Sequence, residues 1–152
     1  RYPNAMAERI LEETVTPVCS PDYLAACGGL EQPVQLLNTN LLHEVGMMAN
    51  WEQWFALAGL GKKRPTRGPS YSHGSMAVEA SIRGEGVALG RNTLVADDIA
   101  ACRLVAPFPE LRLKAERGYD FVYRIGERDH QKVMALRNWL AREIQAFKVG
   151  SE

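Results

Sequence analysis

The stretch Gly74 to Arg83, then Gly84-Glu85-Gly86, then Val87-Ala88-Leu89-Gly90, most narrows what this chain can fold into. Met76, Ala77, Val78, Ala80 and Ile82 make the first part apolar on most sides, which predicts a well-buried helix. The glycines of Gly84-Glu85-Gly86 permit a sharp reversal, because glycine reaches positive φ freely. Val87 to Gly90 reads as a buried strand. Helix, glycine turn and apolar strand make half of a βαβ crossover, so the expected fold class is α/β.

The rest of the chain alternates in the same way. Glu13 to Cys19 is β-branched and extended, with Pro17 arguing for an edge or connecting position. Ser20-Pro21-Asp22 carries a cap, a first-turn proline and an acidic residue for the helix dipole, and Gly28-Gly29 ends that helix. Residues 30–37 form a short helical or turn region, and 41–45 a strand. A loop over 46–49 leads to Asn50, which can cap a helix from Trp51 to about Leu60. Trp51, Trp54, Phe55 and Ala58 share one face of it, and core packing is the favoured reading for Trp51, Trp54 and Trp139. Further strands are expected at 67–72, 103–106, 111–114 and 119–125, with a short helix or turn at 93–100. Asp129 can cap a last helix over about 130–147, whose stripe is Val133, Leu136, Leu140, Ile144 and Phe147.

Composition excludes several functions. Hydrophobic residues make up 46% and charged residues 24% of the 152, and 18 basic side chains balance 18 acidic ones. Autonomous nucleic-acid binding needs a basic face, and the densest basic run, Lys62-Lys63-Arg64 with Arg67, is broken by Pro65 and Gly68 and reads as a solvated loop. Cys19, Cys27 and Cys102 are an odd number without C-x-x-C spacing, which disfavours disulfides and tetrahedral metal sites and fits a reducing cytoplasm. No apolar run approaches the ~20 residues of a membrane span. The opening Arg1-Tyr2-Pro3-Asn4 reads as the middle of a domain.

The most informative polar stretch is Tyr71-Ser72-His73-Gly74-Ser75-Met76, where a strand gives way to the buried helix. Unpaired N–H groups at a helix start favour anions, and a serine hydroxyl adds a donor. The plainer reading is that Ser72 or Ser75 only caps the helix. His73 could serve as a general base or a pH-sensitive switch, but no nucleophile with an acidic orienter is identifiable beside it, so an enzyme is not expected. His43 and Glu44 are adjacent in a strand and point to opposite faces, a poor arrangement for a shared metal. Gly84-x-Gly86 follows a helix and precedes a strand, the reverse of a dinucleotide loop. No cofactor is implied.

Four segments taken together resemble the effector-binding domain of LysR-type transcription regulators, in the branch of the glycine-cleavage activator. They are Val18-Cys19-Ser20-Pro21-Asp22-Tyr23-Leu24; Leu41-Leu42-His43 with Trp51-Glu52-Gln53-Trp54-Phe55 and Ala58-Gly59; Ala77 through Gly90; and Tyr119-Asp120-Phe121-Val122-Tyr123-Arg124 with Leu136, Trp139 and Leu140. The resemblance implies a type 2 periplasmic-binding-protein-like α/β fold of two lobes, the first incomplete. Residues 1–18 would be a remnant of lobe I, 19–113 lobe II, and 114–152 the return strand and C-terminal helix of lobe I. It implies an effector cleft between the lobes, touched by Ser72, His73, Gly74, Ser75 and Met76, with Cys19, Tyr71 and Val122 at the lobe crossovers as further candidates. For Cys19 a packed core position is the alternative. The implied partners are a small-molecule effector, a second copy in a homodimer or homotetramer, and DNA through a winged helix-turn-helix that this sequence does not contain; no membrane is implied. Arg91 departs from the family pattern, which often has proline after the glycine. The rival of the same fold is a fragment of a solute-binding protein.

Overall fold

The structure is a computed structural model that describes residues 3–46, 50–63, 65 and 67–149. Parts of the 46–49 loop, Arg64 of the basic run, the first two residues and the end of the tail lie outside the described residues. The chain divides into two compact units, Thr14–Glu116, and Arg1–Glu13 with Arg117–Glu152.

The larger unit is built on a mixed sheet. Its strands are β2 (Leu41–Glu44), β3 (Ser70–Tyr71), β4 (Val87–Arg91) and the last part of β1 (Ala5–Val18), with β5 (Leu113–Arg124) beyond; the order is β3-β2-β4-β1-β5. β2 runs parallel to β3 and to β4, whereas β4 runs antiparallel to β1, pairing Val15 with Arg91 and Val18 with Ala88. The helices are α1 (Pro21–Ala26), α2 (Trp51–Leu57), α3 (Gly74–Ile82) and α4 (Asn92–Ala100).

Successive strand residues point to opposite faces, and here each face has its own core. Val15, Cys19, Leu41, Val87 and Leu89 pack with Trp51, Trp54 and Phe55 of α2. Val18, Leu42 and Ala88 pack with Ala77, Val78 and Ala80 of α3 and Val95 of α4. A sheet covered on both sides explains why Val87 to Leu89 contains no polar alternate. The indole N–H groups of Trp51 and Trp54 donate to the Leu42 and Leu111 carbonyls, at 3.1 and 3.0 Å, so neither polar atom is stranded in the core.

Local signals produced the expected starts. Ser20 Oγ accepts from Tyr23 N at 3.2 Å and Pro21 opens α1. Asn50 Oδ1 accepts from Gln53 N, and Gln53 Oε1 accepts from Asn50 N, a reciprocal cap of α2.

Several expectations are corrected. β1 is interior, not an edge: it lies between β4 and β5. Pro17 fits because alternate N–H positions in a strand face the same way. Cys19 N–H turns away from β4 to bond Val105 O at 3.0 Å, so the missing donor of Pro17 is on that same side and removes no bond to β4. The strand expected at 103–106 is a single bridge, Cys19 to Val105. The two strands expected at 111–114 and 119–125 are one continuous β5. Neither Ser72 nor Ser75 caps α3: His73 holds the N-cap position and supplies no side-chain bond.

The smaller unit contains the first part of β1, the last part of β5 and α5 (Gln131–Val149). Its polar contacts converge on Glu8, which accepts from the Tyr123 hydroxyl and pairs with Arg137 at 2.9 Å. Arg9 pairs with Asp120. Along α5, Val133, Leu140, Ile144 and Phe147 are half-buried, while Leu136 and Trp139 are 48% and 49% exposed. Trp139 therefore departs from the core reading that holds for Trp51 and Trp54.

Candidate functional site

In open α/β sheets, ligands settle beyond the carboxyl ends of the strands. Here the carboxyl ends of the parallel strands β2, β3 and β4 carry Glu44, Tyr71 and Arg91 at one edge of the sheet. Each strand leads into a helix, so the starts of α2, α3 and α4 follow from the same edge. The connection from β3 to α3 is only Ser72-His73.

The expected residues fall into three places. Tyr71 to Met76 form a continuous surface at the start of α3, with Ser72, His73, Ser75 and Met76 exposed. Ser72 Oγ lies 3.0 Å from His73 Nδ1 and 3.6 Å from Met76 Sδ, which ties the turn together. The Tyr71 hydroxyl donates to Glu85 at 3.3 Å, and desolvation, with the Glu85 charge adding, raises its pKa above the ordinary tyrosine value. Cys19 is elsewhere, with 0% exposure in the core. Burial pushes its thiol up to about 11, so it stays protonated at neutral pH. Val122 belongs to the smaller unit, on β5, and is partly exposed.

Sequence reasoning named Glu44 and Arg91 separately, for other reasons, and did not pair them. Arg91 Nη2 donates to both Glu44 oxygens, at 3.1 and 3.3 Å. The side chains are shielded, 31% exposed for Arg91 and 15% for Glu44. Glu44 also lies against the start of α3: a Cβ built on Gly74 would meet its Oε2 at 2.6 Å. A side chain at residue 74 would push the Glu44 carboxylate from this place. A cavity of about 30 Å³ adjoins Glu44, lined by Leu42, His43, Glu44, Asn50, Trp51 and Gly74 together with Ala77 and Leu89. The His43 Nε2 is 3.0 Å from the Arg67 carbonyl oxygen. The available signal was the order of the strands: β2 and β4 are parallel neighbours, so their last residues must meet.

Among the described residues, no group of three or more His, Cys, Asp or Glu converges as a metal site requires. No helix of the described residues is long and apolar enough to cross a membrane.

Comparison with known proteins agrees with this architecture. The glycine cleavage system transcriptional activator of Escherichia coli is 31% identical over 145 residues, covering 95% of this chain and 47% of that protein. The HTH-type transcriptional regulator TrpI of Pseudomonas aeruginosa is 36% identical over 97 residues, covering 63% of this chain and 33% of that protein. The chain spans about half the length of the first of these relatives. Among solved structures, the effector domain of the regulator AmpR of Pseudomonas aeruginosa superposes with a TM-score of 0.72 at 25% identity, covering 93% of this chain and 66% of that one. The regulatory domain of CrgA from Neisseria meningitidis has the same fold, with a TM-score of 0.67 at 20% identity over 93% of this chain and 70% of that one. The fold is therefore the expected α/β, type 2 periplasmic-binding-protein-like one. A family model described as the LysR substrate binding domain matches residues 2–145, and the chain belongs to that family.

Proposed function

We propose that this chain is the effector-binding and oligomerisation region of a bacterial LysR-type transcription regulator. It senses a small metabolite, without covalent chemistry, at the carboxyl edge of β2, β3 and β4. The observation that carries the reading is the start of α3, where the exposed hydroxyls of Ser72 and Ser75 flank a helix terminus that no side chain caps. Such a terminus offers N–H donors and a partial positive charge to a ligand. His73, Gly74, Met76 and Tyr71 complete the contact surface. Cys19 and Val122 remain outer candidates, with the burial of Cys19 favouring packing. In this reading 19–113 is one lobe and 1–18 with 114–152 belong to the other, a division that the two compact units support.

Effector binding shifts the populations of two arrangements of a homodimer or homotetramer. DNA is contacted through a winged helix-turn-helix outside this sequence, and the protein works in the cytoplasm. The names of the relatives, activators and regulators of transcription, favour this over a solute-binding protein.

The test is a thermal-shift screen of the full-length protein against amino acids, aromatic acids and purines. At least one ligand is expected to raise the melting midpoint, and Ser72→Ala and Ser75→Ala to reduce that rise. A screen without any stabilising ligand would overturn the reading.

A further inference from the structure

The start of α3 already faces an anion, the carboxylate of Glu44, and this fact restricts what the site can accept. Given the sensor reading above, this carboxylate sets the charge class of the ligand. A Cβ on Gly74 would stand 2.6 Å from Glu44 Oε2, so nothing larger than hydrogen separates that carboxylate from the first residue of α3. The same carboxylate is held by Arg91 at 3.1 Å and is only 15% exposed. Beside it the cavity of about 30 Å³, reaching Asn50 and Trp51, has space for about two waters, or for one small polar group.

Charge decides what can enter. A lone anion brings a second negative charge beside Glu44, and the two must share one guanidinium in a setting poor in water. A lone cation that takes Glu44 places a positive charge against Arg91. A ligand carrying an ammonium and a carboxylate on neighbouring atoms avoids both conflicts. Its ammonium takes Glu44, its carboxylate takes Arg91 and the first amides of α3, and every charge keeps an opposite neighbour. We infer that Glu44 and Arg91 part to receive a small zwitterion, an α-amino acid or a close analogue. Glu44 is then the residue by which the site refuses simple carboxylates and oxyanions.

The experiment is calorimetric titration of the full-length protein with matched ligands: glycine and acetate, alanine and propionate, tryptophan and indole-3-propionate, with sulfate as a plain anion. In the wild type at least one amino acid is expected to bind, and its deaminated partner to bind at least about tenfold more weakly. Glu44→Gln should remove that discrimination and admit the deaminated acid or sulfate. Equal binding of a matched pair by the wild type overturns the inference, and so does discrimination that survives in a folded Glu44→Gln protein. If that variant does not fold, the wild-type pairs decide alone, joined by the N-acetyl derivative of the amino acid, which lacks the positive charge and should fail to bind. Binding of a purine or an aromatic acid but of no amino acid overturns the zwitterion while leaving a sensor. Binding of no metabolite at all removes the sensor reading, and the inference with it.

Discussion

Ser75 is the second residue of α3 and is exposed, and the helix start draws no bond from a side-chain cap. Removing its hydroxyl therefore costs the fold little. Ser75→Ala should leave the unfolding free energy within about 0.5 kcal/mol of wild type. If the hydroxyl meets a charged effector group, affinity should fall by about 1.5–3 kcal/mol. Paired measurement of urea midpoint and effector affinity separates the two roles, and a large stability loss with unchanged affinity would place the ligand elsewhere. The cysteines give a second check at this scale. Cys19 is fully buried with its thiol pushed up to about 11, whereas Cys27 and Cys102 are exposed. At neutral pH a thiol reagent should label Cys27 and Cys102 in the native protein and reach Cys19 only after unfolding; mass spectrometry showing rapid native labelling of Cys19 would contradict the packing. Some of the site was legible one residue at a time. The turn at 71–76 stands out because serine, histidine and glycine adjoin an apolar helix within a few positions. The Glu44–Arg91 pair did not stand out, because its members are far apart in sequence and meet only through the parallel neighbours β2 and β4.

Elements whose signals are local were the readable ones. Ser20 with Pro21 and Asn50 with Gln53 each satisfy their helix within about one turn, so α1 and α2 begin where the residues say. Asn50→Ala removes the side-chain half of the α2 cap, leaving the backbone N–H of residue 50 to donate to Gln53 Oε1, and should cost about 1 kcal/mol in chemical denaturation, while Asn50→Asp should retain most of it. The strands were harder, since neighbours decide their lengths. Met6, Ala7, Glu8 and Arg9 have no strand-like composition, yet they lie in β1. Glu116-Arg117-Gly118 looks like a turn, yet β5 continues through it, with Gly118 close to the Leu11 carbonyl of β1. The converse holds for Arg103 to Ala106, which alternates suitably but finds only the single bridge at Val105. Close approach also marks the start of β4. A Cβ on Gly86 would lie 2.2 Å from the Asn40 carbonyl oxygen, the group that accepts the Val87 N–H at 2.9 Å. Gly86→Ala should thus destabilise by about 1–3 kcal/mol, because backbone must move and the link between β2 and β4 weakens. An unchanged denaturation midpoint would contradict this close backbone approach.

Across the whole molecule, the cores on the two sheet faces belong to the larger unit, and the smaller unit leaves more apolar surface open. Met134, Leu136 and Trp139 of α5 and Val122 and Ile125 at the end of β5 and just beyond it are all at least 40% exposed. Apolar surface of this kind promotes association. The 152-residue chain should sediment as a concentration-dependent mixture, and Leu136→Glu with Trp139→Glu should shift it toward monomer. A monodisperse monomer at high concentration would argue against a sticky surface here. The antiparallel pairing of β1 with β4 carries one more consequence, for the order of events during synthesis. Val18 pairs with Ala88, which emerges from the ribosome seventy positions later. At ~5–20 residues per second the last part of β1 waits about 4–14 s for that partner. During this interval Val15 to Val18 are an unsatisfied apolar template, while β2, α2, β3 and α3 are being made. The nascent chain is therefore most exposed to chaperone capture, or to pairing with another nascent chain, before Val87 to Arg91 have left the exit tunnel.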